Sequence, residues 1–176
     1  WTRTAVAALL RGRGIRLRKS LGQNYLVDPN FLEALARDTG AGPGDVVVEI
    51  GSGLGNLTER LAARAGQVWA FELDEPIHAL SKELLAGVPN VTLVQGDGAG
   101  FASRIGGAGR IRIASNLPYG DWQRIVLAIL AAPQEIVSCT LMIQEDVFER
   151  LRAKPGTRAY GPLAAIVQAT CELKKV

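Results

Sequence analysis

Asp45-Val46-Val47-Val48-Glu49-Ile50-Gly51-Ser52-Gly53-Leu54-Gly55-Asn56 is the stretch that decides how the chain is read. Its first six residues form a short apolar run rich in β-branched side chains, which predicts a buried strand. Three glycines then alternate with other residues, and a helix is expected from about Leu57 to Ala65. Glycines in a strand-to-helix loop let the backbone turn sharply and approach a ligand closely. The helix that follows aims its first amides and its dipole at the same place. Gly51, Gly53 and Gly55 are spaced G-x-G-x-G, whereas the dinucleotide fingerprint is G-x-G-x-x-G. The two patterns share a fold, so the loop alone leaves the ligand open, and a tight turn without a ligand could use the same glycines.

On the N-terminal side, residues 30 to 39 read as a helix, with Asp28-Pro29-Asn30 as its start and Gly40 as its stop. After the glycine loop, strands are expected at Val68 to Leu73, Val91 to Gln95, Arg110 to Ala114 and Ile136 to Ile143, the last as a buried strand. Helices are expected at Glu75 to Ala86, Gln123 to Leu130 and Asp146 to Arg152, followed by a Lys154-Pro155-Gly156 turn. Gly40 to Gly44 and Gly106 to Gly109 read as loops. Strand and helix alternate, which implies an α/β fold with a mostly parallel sheet and helices on both faces.

A chain of 176 residues is long enough for one such domain, and 48% apolar with 21% charged residues is ordinary for a globular protein. No apolar run is long enough to span a membrane, so no membrane partner is expected. Cys139 and Cys171 lie in apolar surroundings and read as reduced core residues. The single histidine, His78, follows a helix start at Asp74-Glu75-Pro76, and no metal site is expected. The net charge of +3 is unevenly spread: Arg3, Arg11, Arg13, Arg16, Arg18 and Lys19 all precede the first acidic residue, Asp28. Residues 1–19 therefore read as a basic N-terminal arm and residues 20–176 as the domain proper. Such an arm could contact phosphates, lie solvated, or act as an Arg-rich targeting segment.

Ligands in open parallel sheets bind at the C-terminal ends of the strands. Glu72 stands at such an end and can accept hydrogen bonds from ribose hydroxyls. Asp97, in Gly96-Asp97-Gly98, stands at another and can accept from an adenine amino group. Asn116-Leu117-Pro118-Tyr119 follows the next strand at the same edge. An exocyclic amine on adenine is a poor nucleophile because its lone pair is delocalised into the ring. Acceptors that hold both N–H groups turn that lone pair outward, and the Asn116 side-chain oxygen and a main-chain carbonyl near Pro118 can supply them. Proline fixes the backbone there, and Tyr119 offers a flat face for a base. Positioning and electrostatics can carry an in-line methyl transfer without a strong general base.

These motifs resemble the rRNA adenine N6,N6-dimethyltransferases, the KsgA/RsmA group that modifies small-subunit rRNA. The resemblance runs over roughly residues 16 to 176. It rests on Lys19-Ser20-Leu21-Gly22-Gln23-Asn24-Tyr25-Leu26, the Val48 to Thr58 stretch, Glu72-Leu73-Asp74, Gly96-Asp97, Asn116 to Tyr119, and Met142 to Leu163. It implies a Rossmann-like fold that uses S-adenosyl-L-methionine. Asn24 and Leu26 would meet or close over the cofactor's methionine end, Gly51 would line its loop, and Gln23 and Gly53 would also belong to the cofactor-binding set. Glu72 would hold the ribose and Asp97 the adenine, with Leu73, Gly98 and Asn116 also binding the cofactor, and Asn116, Leu117, Pro118 and Tyr119 would form the catalytic signature.

The resemblance implies dimethylation of two adjacent adenines in 16S-type rRNA during ribosome assembly, by a cytoplasmic monomer whose partner is rRNA or the small ribosomal subunit. Sister enzymes that methylate large-subunit rRNA and confer macrolide resistance share most motifs, but more often carry isoleucine at the position of Leu117. A non-catalytic RNA-binding assembly factor on the same scaffold is a further alternative. An NAD-dependent oxidoreductase would need a hydride-transfer acid or base, and none accompanies this glycine loop. The chain departs from the family at Tyr25, usually Phe, at Glu145, often Lys, and at Gly120-Asp121-Trp122, where Ile-Ser is usual. The family also continues past Val176 into a last strand, an aromatic Phe-x-Pro-x-Pro-Lys stretch and a small helical domain, so the chain is expected to be a fragment.

Overall fold

The computed structural model describes residues 2–18, 26–107, 109–118 and 120–176. Helix α1 (Arg3–Gly12) and α2 (Pro29–Asp38) precede the first strand, β1 (Val46–Ile50). There follow α3 (Asn56–Ala62), β2 (Gln67–Glu72), α4 (Glu75–Leu84), β3 (Val91–Gln95), α5 (Phe101–Arg104) and β4 (Arg110–Asn116). The remaining elements are α6 (Trp122–Leu130), β5 (Glu135–Met142), α7 (Glu145–Leu151) and α8 (Pro162–Thr170). The strands pair in the order β3-β2-β1-β4-β5, and every pair is parallel. The chain thus starts in the middle of the sheet, builds outward through β2 and β3, then crosses back to β4. The crevice above β1 and β4, where the winding reverses, is where such sheets bind ligands.

The two-residue period of the strands sorts their side chains onto two faces. Val47, Val68, Ala70 and Ala114 pack with Leu32, Leu35 and Ala36 of α2 and Leu57 and Leu61 of α3. Val48, Ile50, Phe71, Ile111 and Ile113 pack on the other face with residues of α5, α6, α7 and α8, among them Phe101, Ile125, Ile129, Val147 and Val167. The expected α/β architecture with helices on both faces is therefore present. Helix starts follow their capping chemistry: Asp28 accepts from the amides of Asn30 and Phe31, and Asp74 from that of Ile77.

The fold departs from the sequence expectations in several places. Helices α1, α5 and α8 are additional to those that periodicity predicts. The segment read as a basic arm contains α1, whose Val6 and Leu10 are buried against Leu54, Ile77 and Leu80. β5 is not a buried strand: it is the sheet's last strand among the described residues, and its accessibility alternates along its length. Cys139, on β5, and Cys171, just past α8, are free and exposed rather than core residues. An apolar sequence neighbourhood does not show that a strand lies at an edge. Among the described residues no helix is long and apolar enough to cross a membrane, and no group of metal-ligating side chains forms.

Candidate active site

The glycine loop after β1 is folded onto the end of β2. The amides of Gly51 and Ser52 both donate to the Phe71 carbonyl at 2.9 Å. Gly51, Gly53 and Gly55 have φ of 80°, 55° and 87°, a region costly for side-chain-bearing residues. At Gly55 a Cβ would also lie 2.6 Å from Leu85 Cδ1, so a side chain there would have to displace that of Leu85 as well as adopt the left-handed backbone. At Gly51 a Cβ would meet nothing within 4 Å. Gly51 also lines the cleft described below.

Glu72, at the end of β2, is only 8% exposed. Its Oε2 accepts from the Gly53 amide at 2.8 Å and its Oε1 from the Asp74 amide at 2.8 Å. The carboxylate thus ties the glycine loop to the start of α4 and keeps a lone pair on each oxygen. Asp97 stands just past β3, where its Oδ1 accepts from the Ala99 amide at 2.9 Å and its Oδ2 from Arg124 Nη1. Asn116 ends β4, in register with Met142 of β5. The next amide, that of Leu117, donates to the Met142 carbonyl at 3.1 Å, which carries the chain into Pro118 while Leu117 buries its side chain.

One cleft gathers these groups. It is lined by Leu26, Gly51, Gly53, Glu72, Leu73, Asp97, Gly98, Asn116, Leu117 and Pro118, all of them candidates on sequence grounds. Gln23, Asn24 and Tyr119, also candidates, lie outside the described residues. The cleft takes in Glu49, Ser52, Asn56, Asp121 and Arg124 as well, which the motifs do not single out. Glu49 lies on β1, Ser52 in the loop after it and Asn56 at the start of α3, and strict alternation along β1 is the signal that turns Glu49 away from Val48. Asp121 and Arg124 carry no motif, and only the packing of α6 beside the end of β3 brings them in.

Electrostatics differ among the carboxylates. Glu49 is buried on β1 and accepts from Thr58 Oγ1 at 2.5 Å. Burial pushes its carboxyl up to about 7; the Thr58 bond opposes the rise and the nearby Glu72 charge adds to it. Burial also raises Glu72, against the pull of the Asp74 and Gly53 amides. Burial works on Asp97 in the same direction but is outweighed by hydrogen bonds from Arg124 and the Ala99 amide, so that carboxyl is held below its ordinary range. The cleft therefore offers an ionised acceptor at the β3 end and a more weakly acidic one at the β2 end.

Ser52 Oγ and Asn56 Oδ1 are buried without a hydrogen-bond partner among the described residues. Leaving such atoms unsatisfied costs roughly 1–3 kcal/mol each. A polar ligand in the cleft would relieve that cost. Orphaned polar atoms, an open glycine and carboxylates among Leu26, Leu73 and Leu117 fit a ligand that joins hydroxyls and amines to a flat apolar ring.

A family model described as ribosomal RNA adenine dimethylase matches residues 14–176. The ribosomal RNA small subunit methyltransferase A of Moorella thermoacetica is 44% identical over 173 residues, an alignment covering 92% of this chain and 59% of that protein. The chain thus spans less than two thirds of the length of that relative. The crystal structure of the 23S rRNA methyltransferase ErmE superposes with a TM-score of 0.65 at 31% identity, over 72% of this chain and 50% of that one. A dimethyladenosine transferase from Plasmodium falciparum shares the fold, with a TM-score of 0.68 at 24% identity over 82% of this chain and 52% of that one.

Proposed function

Because the chain belongs to the ribosomal RNA adenine dimethylase family, we propose that it transfers methyl groups from S-adenosyl-L-methionine to N6 of adenines in small-subunit rRNA. The observation that carries this is the convergence of the glycine loop, Glu72, Asp97 and Asn116-Leu117-Pro118, from four strand ends, on one cleft. The family resemblance adds that two adjacent adenines are each dimethylated, during ribosome assembly in the cytoplasm, by a monomer.

When bound, the cofactor supplies an electrophilic methyl group. Gly51 and Gly53 line its site, and Glu72 offers its remaining lone pairs to the ribose hydroxyls. Asp97 accepts from the adenine amine, beside Leu73 and Gly98. Leu26 stands at the methionine end, where Gln23 and Asn24 are proposed to close. The target adenine must leave its stack to reach the cleft, a step that is cheap in a hairpin loop. Asn116 and the carbonyl near Pro118 then hold its amine so that the lone pair points at the methyl group, and Tyr119 stacks on its ring. The chain's residues bind and orient the reactants; the amine's proton, made acidic by methylation, passes to solvent, so none of them must act as a strong base.

Labelled cofactor incubated with small and large subunits that both lack the modification should give N6-dimethyladenosine in the small-subunit RNA by mass spectrometry. Label on large-subunit RNA alone would move the chain to the macrolide-resistance type, a reading that the ErmE likeness supports and the Moorella relative's name does not. Asn116→Ala should abolish transfer while S-adenosylhomocysteine still raises the unfolding temperature. Transfer retained in that variant would sink the role given to Asn116.

A further inference from the structure

Asp97 is gripped from two sides. The Ala99 amide holds Oδ1 at 2.9 Å, and Arg124 Nη1, reaching from α6, holds Oδ2. The same guanidinium gives its Nη2 to Asp121 Oδ2 at 3.0 Å. Asp97, Asp121 and Arg124 all line the cleft that contains Glu72 and Asn116. One planar fork therefore bridges the end of β3 to the segment that follows Asn116-Leu117-Pro118. The side chains are about half exposed, at 48% for Arg124, 47% for Asp97 and 55% for Asp121, so the pairs add little to folding stability. Their significance lies in where they hold Asp97.

We propose that Arg124 is a positioning residue that fixes the Asp97 carboxylate and thereby makes the cleft select a 6-amino purine over a 6-oxo purine at the cofactor's adenine end. The inference rests on the cofactor reading given above. A carboxylate held at both oxygens cannot turn freely, yet it keeps one lone pair on each for an incoming donor. Such a fixed anionic acceptor receives an amino group and repels a carbonyl oxygen. Sites built around a required hydrogen bond discriminate strongly against an analogue that cannot make it. Arg124 suits the task because its planar fork reaches Asp97 and Asp121 at once, which a lysine ammonium cannot match with the same geometry.

Calorimetric titration of the full chain with S-adenosylhomocysteine and with S-inosylhomocysteine, its 6-oxo counterpart, tests this. The wild-type chain should prefer the adenosyl ligand. Arg124→Met should weaken adenosyl binding about tenfold, in line with removal of a charge-assisted orienting bond, while the inosyl affinity moves little. Arg124→Lys should give a preference intermediate between wild type and Arg124→Met. Circular dichroism and thermal unfolding establish that each variant is folded, and Arg124→Lys carries the comparison if Arg124→Met is not. An undiminished preference in the Arg124 variants overturns the proposal. So does an equal weakening of both ligands in a folded protein. A wild-type chain that binds neither ligand overturns the cofactor reading itself, and this proposal with it.

Discussion

Glu49 shows how one residue can be set by the strand that carries it. It lies between Val48 and Ile50 in β1, both packed on one face, and its side chain meets Thr58 of α3. Its carboxyl titrates near 7 in the fold, against 4.5 ordinarily. Between those values the folded chain keeps a proton that the unfolded chain has released, so this residue's contribution to stability falls as pH rises through that window and is gone above it. Glu49→Gln stays neutral throughout. It should unfold at about the same denaturant concentration as wild type near pH 4 and be more stable by up to about 3 kcal/mol near pH 8. Urea unfolding at both pH values measures this; equal stability of the two proteins near pH 8 would show that the fold does not raise the carboxyl above its ordinary range. Glu72 and Asp97 are legible as strand-end acids, whereas Glu49 reads only as part of an apolar run. A single charged residue inside a β-branched run looks like noise until the facing helix is known.

Among the elements, boundaries at the glycine loop and at the Asp28 and Asp74 caps are legible because they depend on local chemistry. Helix α1 is hidden by its own charge. Its apolar stripe is short, Val6 and Leu10 one turn apart, among arginines that suggest a solvated arm. Docking that stripe on Leu54, Ile77 and Leu80 places α1 directly behind the glycine loop, since Leu54 belongs to it. Leu10→Ala removes a buried anchor, a change that typically costs about 2–5 kcal/mol in a core. Here it should free α1 first. Hydrogen exchange is expected to speed up over residues 3–12 and at Leu54, with β1 to β4 keeping their protection. A uniform drop in protection across the sheet would mean that α1 is part of the global folding unit instead.

For the molecule as a whole, the charge distribution bears on the proposed RNA partner. Arg13 is paired with Glu83, and Arg18 with Asp74. Arg11 and Arg16 have no such partner among the described residues, and both line a shallow groove with Leu10, Ile15 and Leu17. If the substrate is RNA, Arg11→Ala with Arg16→Ala should weaken RNA binding and reduce the salt slope by about one unit for each phosphate no longer neutralised. S-adenosylhomocysteine binding should be untouched. An unchanged salt slope would place the RNA elsewhere. The alternation of strand and helix, the parallel sheet, the glycine loop and the identities of the strand-end acceptors are all written in the chain, because period, turn chemistry and capping are local properties. Three features come from packing alone: α1 is docked, β5 is the sheet's last strand among the described residues with its cysteine exposed, and Arg124 meets Asp97. Each of those depends on which elements lie side by side, and that is settled by burying apolar faces against one another rather than by anything within a single segment.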